Sequence, residues 1–166
     1  SRAHTSLAEL ECVYRAQFSA FLRTATAYLG DADVARDAVQ EGVANAIRNR
    51  DDYRGEGTLE EWLWKVVLNA IRSQHRERAH RLVLAEARSG FEAAGLSSNG
   101  GRSAESVRAA VRRLPERQRL VLFLRHYADM DYATIAELLD VSEGTVGASL
   151  NAARKTLRGL LGEVVA

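Results

Sequence analysis

The stretch that decides the fold is residues 132–155, YATIAELLDVSEGTVGASLNAARK. Tyr132, Ile135, Ala136, Leu138 and Leu139 recur at helical spacing, Asp140-Val141-Ser142 interrupts it, and Val146, Leu150, Ala153 and Leu157 resume it. Two short amphipathic helices joined by a tight turn have the spacing of a helix-turn-helix. Ser142 is a good N-cap, and Glu143 puts negative charge on the first turn, where the helix dipole favours it, so the second helix should begin at Glu143. Thr145, Gly147, Ala148, Ser149 and Asn151 then fall on its outer face, with Arg154, Lys155 and Arg158 further along. In a helix entering the major groove, these positions lie near base edges and then near phosphates. The same spacing also fits a plain helical hairpin inside a core. The trailing basic residues tilt the reading toward DNA.

Working outward, Val107, Val111 and Leu114 lead into Pro115, expected at the first position of a helix that carries Leu120, Val121 and Leu124. Upstream, Ser89-Gly90 and Ser97-Ser98-Asn99-Gly100-Gly101 have the small polar composition of a flexible linker. The chain therefore divides into a first domain over 1–82, a linker over 83–104 and a second domain over 105–166.

In the first domain, Tyr14, Phe18, Phe21, Ala25 and Tyr28 mark one helix face that ends at Gly30-Asp31. A second helix buries Val34, Ala38, Val39, Val43, Ala46 and Ile47 and leaves Arg36, Asp37, Gln40, Glu41 and Asn45 outside. Tyr53-Arg54-Gly55-Glu56-Gly57-Thr58 is a loop, and Thr58 with Glu61 forms a capping box for a helix from Leu59 to Arg81. That helix carries Trp62, expected in the core, and Trp64, then Asn69, Arg72, Ser73, Gln74, Arg76 and Arg78. Aromatic, amide and cationic side chains together suit unpaired bases, although a core helix with a solvated basic end has the same composition.

One proline, sparse β-branched runs and abundant Ala, Leu, Arg and Glu predict an all-α protein. Cys12 has no partner for an internal disulfide, and no run of about 18 apolar residues is present, so the expected compartment is the cytoplasm, with no membrane insertion. The start at Ser1 without methionine points to upstream processing or trimming. His4, His75, His80 and His126 lack zinc-site spacing, Cys12 has no histidine nearby in sequence, and Gly55-Glu56-Gly57 is too short for a phosphate loop. No metal, cofactor or catalytic residue is expected, and the chain reads as a non-enzyme. A net charge of +1 is low for a nucleic-acid binder, but Arg72, Arg76, Arg78 and Arg81 gather with His75 and His80 in one place.

Three segments in order resemble the extracytoplasmic-function sigma factors of bacterial RNA polymerase over almost the whole chain. Gly30-Asp31 through Asp37-Ala38-Val39-Gln40-Glu41 looks like the family's "GD…DLVQE" helix, and Tyr53 through Leu63 like its "FRGEGSFxxWL" loop. Leu114 through Arg119, Tyr132 through Glu137 and Ser142 through Val146 resemble its C-terminal DNA-binding domain. The resemblance implies a sigma-2-like helical bundle and a sigma-4-like helix-turn-helix domain. It implies binding to core RNA polymerase: to the clamp coiled coil of the largest subunit through Asp37, Gln40, Glu41 and Asn45, and to the flap. It further implies a minus-10 site formed by Tyr53, Arg54, Asn69, Arg72, Ser73 and Arg76, with one base flipped out of the stack. A minus-35 site would comprise Thr145, Gly147, Ala148, Ser149, Asn151, Arg154 and Lys155, and an anti-sigma factor would be a further partner. A stand-alone helix-turn-helix regulator and a sigma-like decoy remain alternatives.

The chain departs from the family just after Gly144-Thr145-Val146, where Gly147, Ala148 and Ser149 replace the usual basic or bulky side chains. Minus-35 contacts should then rest on Arg154, Lys155 and backbone amides. Every phosphate left without a cation should flatten the slope of log affinity against log salt by about 0.9. Titrating duplex DNA at several salt concentrations tests this, and a slope as steep as that of a strongly basic homologue would refute it.

Overall fold

The computed structural model describes residues 5–89 and 102–165. It is all-helical, with no strand among the described residues, and comprises α1 (Leu7–Leu29), α2 (Ala32–Arg48), α3 (Leu59–Ser89), α4 (Arg102–Arg112), α5 (Glu116–His126), α6 (Tyr132–Leu139) and α7 (Glu143–Val165). A single 3-10 turn, Arg50–Asp52, follows α2. No described helix is long and apolar enough to cross a membrane.

Local chemistry sets most of the boundaries. Helix α1 begins at Leu7, a full two turns before the Tyr14 stripe, because Ser6 and Glu9 form a reciprocal capping box. It stops at Gly30, whose φ of 73° is left-handed and whose N–H reaches Thr26 O. Asp31 then caps α2 by accepting from the backbones of Asp33 and Val34, and these bonds hold its carboxyl below its ordinary pKa. The expected box at Thr58 and Glu61 is present, with bonds of 3.0 and 3.1 Å.

Two boundaries differ from expectation. Pro115 is the N-cap of α5, one residue earlier than the first helical position. Helix α3 does not stop at Arg81 but continues through 83–89, residues read as linker, because nothing in Leu82-Val83-Leu84-Ala85-Glu86-Ala87 breaks a helix. Leu82, Val83 and Leu84 remain exposed, which is why core periodicity gave no sign of that extension. The glycine-rich tract 97–101, together with Gly90 and His4, lies outside the described residues.

Helices α1, α2 and α3 form one bundle around Phe21, Val39, Leu63, Trp64, Val67 and Ile71, all at most 1% exposed. Trp64, not Trp62, is the core tryptophan: its ring meets Phe21 edge-on at 4.5 Å and its Nε1 donates to Gln17. Helices α4–α7 enclose Leu120, Val121, Leu124, Ile135, Val146 and Leu150. The two groups touch through α1 against α5 and α3 against α6, so their buried residues form one continuous cluster.

Helix α2 lies against α3 at very short range. A Cβ on Gly42 would stand 2.8 Å from Val67 Cα and 3.2 Å from Val67 Cγ2. Since the nearest obstacle is backbone, the helices must separate to admit a methyl. Gly42→Ala gains up to about 1 kcal/mol of helix propensity but incurs about 1–3 kcal/mol of overpacking. We expect a lower melting temperature by calorimetry, and a rise would show that the contact yields freely.

Candidate nucleic-acid interface

Helix α3 presents a polar stripe at Lys65, Asn69, Arg72 and Arg76, whose spacing of four, three and four places them on one face. Lys65, Asn69 and Arg76 are exposed and Arg72 is partly covered; Ser73 is exposed beside them. The structure thus aligns Asn69, Arg72 and Arg76 on one face and adds Lys65, one turn earlier. Extending the stripe backward by four residues would have found it.

The stripe leads to the 53–57 loop. Tyr53 donates its hydroxyl to Gly57 O at 2.9 Å, and its ring lies 5.8 Å from that of Trp62, tilted by 51°. Gly57 adopts φ 73°, and a Cβ there would come within 2.7 Å of Glu61 Oε2, the oxygen that caps α3. The loop's closure and the helix start are therefore one device. Tyr53, Arg54, Trp62 and Lys65 line a cleft of about 320 Å³ together with Asp52, Glu56, Gly57, Glu61 and Glu137. Trp62, assigned to the core on sequence, is half-buried at this cleft, its outer face beside Tyr53. An aromatic wall, a cation and loop backbone in one recess can receive a planar, hydrogen-bonding ring.

On α2, Asp37, Gln40 and Glu41 are exposed and Asn45 is half-buried. Arg48 reaches back to Glu41 at 3.2 Å and to the Asn45 side-chain oxygen, so two of the four acceptors are already held in place.

The helix-turn-helix forms as the spacing predicted. Asp131 caps α6 by accepting from Thr134 N at 2.8 Å, and that bond lowers its carboxyl pKa. Asp140 ends α6 at φ 54°, and Val141 N reaches Ala136 O. Ser142 Oγ accepts from Thr145 N at 3.1 Å and shares a hydrogen bond with Thr145 Oγ1. Val146 and Leu150 are buried in one cluster with Ile135, Ala136 and Leu138, and Ala153 is buried as well. Ala148, Asn151, Arg154 and Lys155 are exposed, whereas Thr145, Gly147 and Ser149 are half-buried. Gly147 is flanked by the Tyr132 ring, 3.5 Å from where its Cβ would be, so that part of the outer face belongs to Tyr132.

Comparison with known proteins gives a consistent result. Family profiles described as Sigma-70 region 2 and Sigma-70, region 4 match residues 13–81 and 104–157. The ECF RNA polymerase sigma factor EcfG of Rhodopseudomonas palustris is 34% identical over 136 residues, spanning 80% of this chain and 74% of that protein. The RNA polymerase sigma factor SigV of Bacillus subtilis is 25% identical over 138 residues, spanning 83% and 82%. Among solved structures, the Bartonella quintana sigma factor RpoE in complex with the anti-sigma factor NepR aligns with a TM-score of 0.66. It is 23% identical, covering 93% of this chain and 95% of that one. CnrH in complex with the cytosolic domain of CnrY aligns with a TM-score of 0.70 at 22% identity, covering 95% and 90%. At these identities the solved structures establish a shared fold.

The Ser142 cap fixes where the second helix of the motif starts. Ser142→Ala should cost about 1 kcal/mol, while Ser142→Asp, which keeps an acceptor, should cost much less. Thermal unfolding of the three proteins checks this; equal loss in both variants would show that the cap acts by something other than its acceptor.

Proposed function

The chain belongs to the extracytoplasmic-function sigma factors of the sigma-70 family, and on that premise we propose how its surfaces divide the work of transcription initiation. As a sigma factor it binds core RNA polymerase and directs it to promoters. The observation that carries the residue-level reading is the α3 stripe of Lys65, Asn69, Arg72 and Arg76 running into the Tyr53–Trp62 cleft. Duplex DNA needs only cations spaced along phosphates; a cation stripe that ends in an aromatic recess suits a strand with a base turned out.

In this reading the minus-10 element is captured by Tyr53, Arg54, Asn69, Arg72, Ser73 and Arg76, to which we add Lys65 and Trp62. Holding an extruded base offsets the few kcal/mol of unstacking, so recognition and strand opening are one event. The exposed α2 face of Asp37, Gln40 and Glu41, with Asn45, engages the clamp coiled coil of the polymerase largest subunit, and the C-terminal domain meets the flap. Helix α7 reads the minus-35 element as duplex through Thr145, Ala148, Ser149, Asn151, Arg154 and Lys155, with Gly147 allowing close approach. The domains divide at 1–82 and 105–166, with the α3 extension leading into the linker. The chain does this work in the cell interior, without an active site of its own, and an anti-sigma factor is a partner, as NepR is for the Bartonella quintana sigma factor.

Transcription from a pooled promoter library by core polymerase, with and without the chain, tests this. Transcripts that share a pair of spaced elements and require the chain are the expected result. Polymerase binding without transcripts would instead mark a decoy, and duplex binding without polymerase binding a stand-alone regulator. The charge reversal Asp37→Arg with Glu41→Arg should abolish polymerase binding and leave DNA binding unchanged. Retained polymerase binding would move the clamp contact off α2.

A further inference from the structure

We propose that Glu61 is the specificity residue of the Tyr53–Trp62 recess: its carboxylate accepts from the exocyclic amino group of the extruded base, so the captured position takes cytosine, adenine or guanine and rejects thymine. The inference rests on the reading of that recess given above, and it names the class of base the recess holds.

Three observations carry it. First, the half-buried Glu61 carboxylate is held in place with one oxygen to spare. Its Oε2 accepts from Thr58 N at 3.0 Å and stands where a Cβ on Gly57 would come within 2.7 Å, so the cap and the missing side chain together set its position. Oε1 has no hydrogen-bond partner among the described residues. Second, no cation holds the charge. Lys65 lies four residues on, the spacing at which a Glu preceding a Lys pairs favourably on a helix. Yet no ion pair joins Glu61 to Lys65 or to Arg54 among the described residues, although all three line the cleft. Third, the lining disfavours phosphate. Asp52, Glu56, Glu61 and Glu137 stand against Arg54 and Lys65. Even without Glu137, which comes from α6 of the second domain, the carboxylates outnumber the cations. An excess of negative charge repels the backbone and leaves the uncharged base as the part of a strand that fits.

The chemistry of a carboxylate then decides which base. An ionised carboxylate only accepts hydrogen bonds. Cytosine offers it the N4 amino group, adenine the N6 and guanine the N2, whereas the exocyclic polar atoms of thymine are carbonyl oxygens. The one ring N–H of thymine lies between two such oxygens, and a carboxylate that reaches it faces both. The aromatic wall of Tyr53 and Trp62 is indifferent to this choice, because every base has a face that can stack. Stacking therefore determines that a base is held, and Glu61 determines which. The Tyr53 hydroxyl already donates to Gly57 O. Arg54, exposed on the same cleft, supplies the donors that the ring nitrogen or carbonyl of an amino-bearing base needs.

The test uses holoenzyme assembled from core polymerase and the full chain, and fluorescent single strands bearing the minus-10 element defined by the transcription assay, with binding read by anisotropy. An abasic site moved along the element finds the captured position, where loss of the base alone weakens binding most. At that position thymine should bind about tenfold more weakly than the best of the other three bases. In the same parent protein, removing only the amino group, with purine for adenine or pyrimidinone for cytosine, should give a similar loss. Glu61→Gln keeps an oxygen that can accept from Thr58 N and replaces the other oxygen with a donor, so the penalty against thymine should vanish or invert. Thymine bound as well as the other bases by the parent, or an amino group removed without loss, overturns the selection. An unchanged penalty in Glu61→Gln overturns Glu61 as its source. An element that tolerates an abasic site at every position captures no base, which defeats the recess reading itself and the selection with it.

Discussion

The approach of α2 to α3 at Gly42 is the constraint on which the N-terminal domain depends. With a hydrogen where every other residue has a carbon, α2 can rest on the backbone of α3 at Val67. That contact fixes both helices by their buried sides: Val39 and Ala46 on one, Leu63, Val67 and Ile71 on the other. What each helix leaves outside follows. Helix α2 keeps Asp37, Gln40 and Glu41 in solvent, and α3 keeps Lys65, Asn69 and Arg76. Two exposed polar faces are thus held in fixed relation by one packed interface.

Capping chemistry carries the same economy into the loops. Glu61 closes the start of α3 through Thr58 and sits against Gly57 in the loop that forms the aromatic recess. The recess is therefore tied to a helix rather than to a free loop. In the C-terminal domain, Asp131 and Ser142 do equivalent work for α6 and α7. The small residues after Val146 leave α7 with little chemistry of its own until Arg154, and Tyr132 fills part of the gap beside Gly147.

The interface around Tyr28 joins the two domains into one buried cluster, but with different physics from the cores on either side. Those cores are apolar and close-packed. Between them lie a guanidinium on a ring, its Nε buried without a hydrogen-bond partner, and a carboxylate shared by two donors. Such an interface is specific in geometry and modest in net free energy, because desolvation cancels much of what the charges gain.

Much of the fold was legible because helical periodicity and caps are local. The stripes of α1, α2 and α3, the box at Thr58 and Glu61, the Ser142 cap and the helix-turn-helix all rest on residues three or four apart. Where local signals were silent, the reading failed: the exposed Leu82-Val83-Leu84 extension has no core pattern to announce it. The choice between Trp62 and Trp64 depended on which of two nearby positions faced Phe21, which spacing on α3 alone does not fix. The meeting of Tyr28, Arg72, Glu116 and Arg119 joins residues far apart in sequence. By itself, then, the sequence determined the all-helical make-up, most helix starts and the family. Only the tertiary structure decided which side chains meet across the chain, because contacts between distant segments leave no period in the sequence.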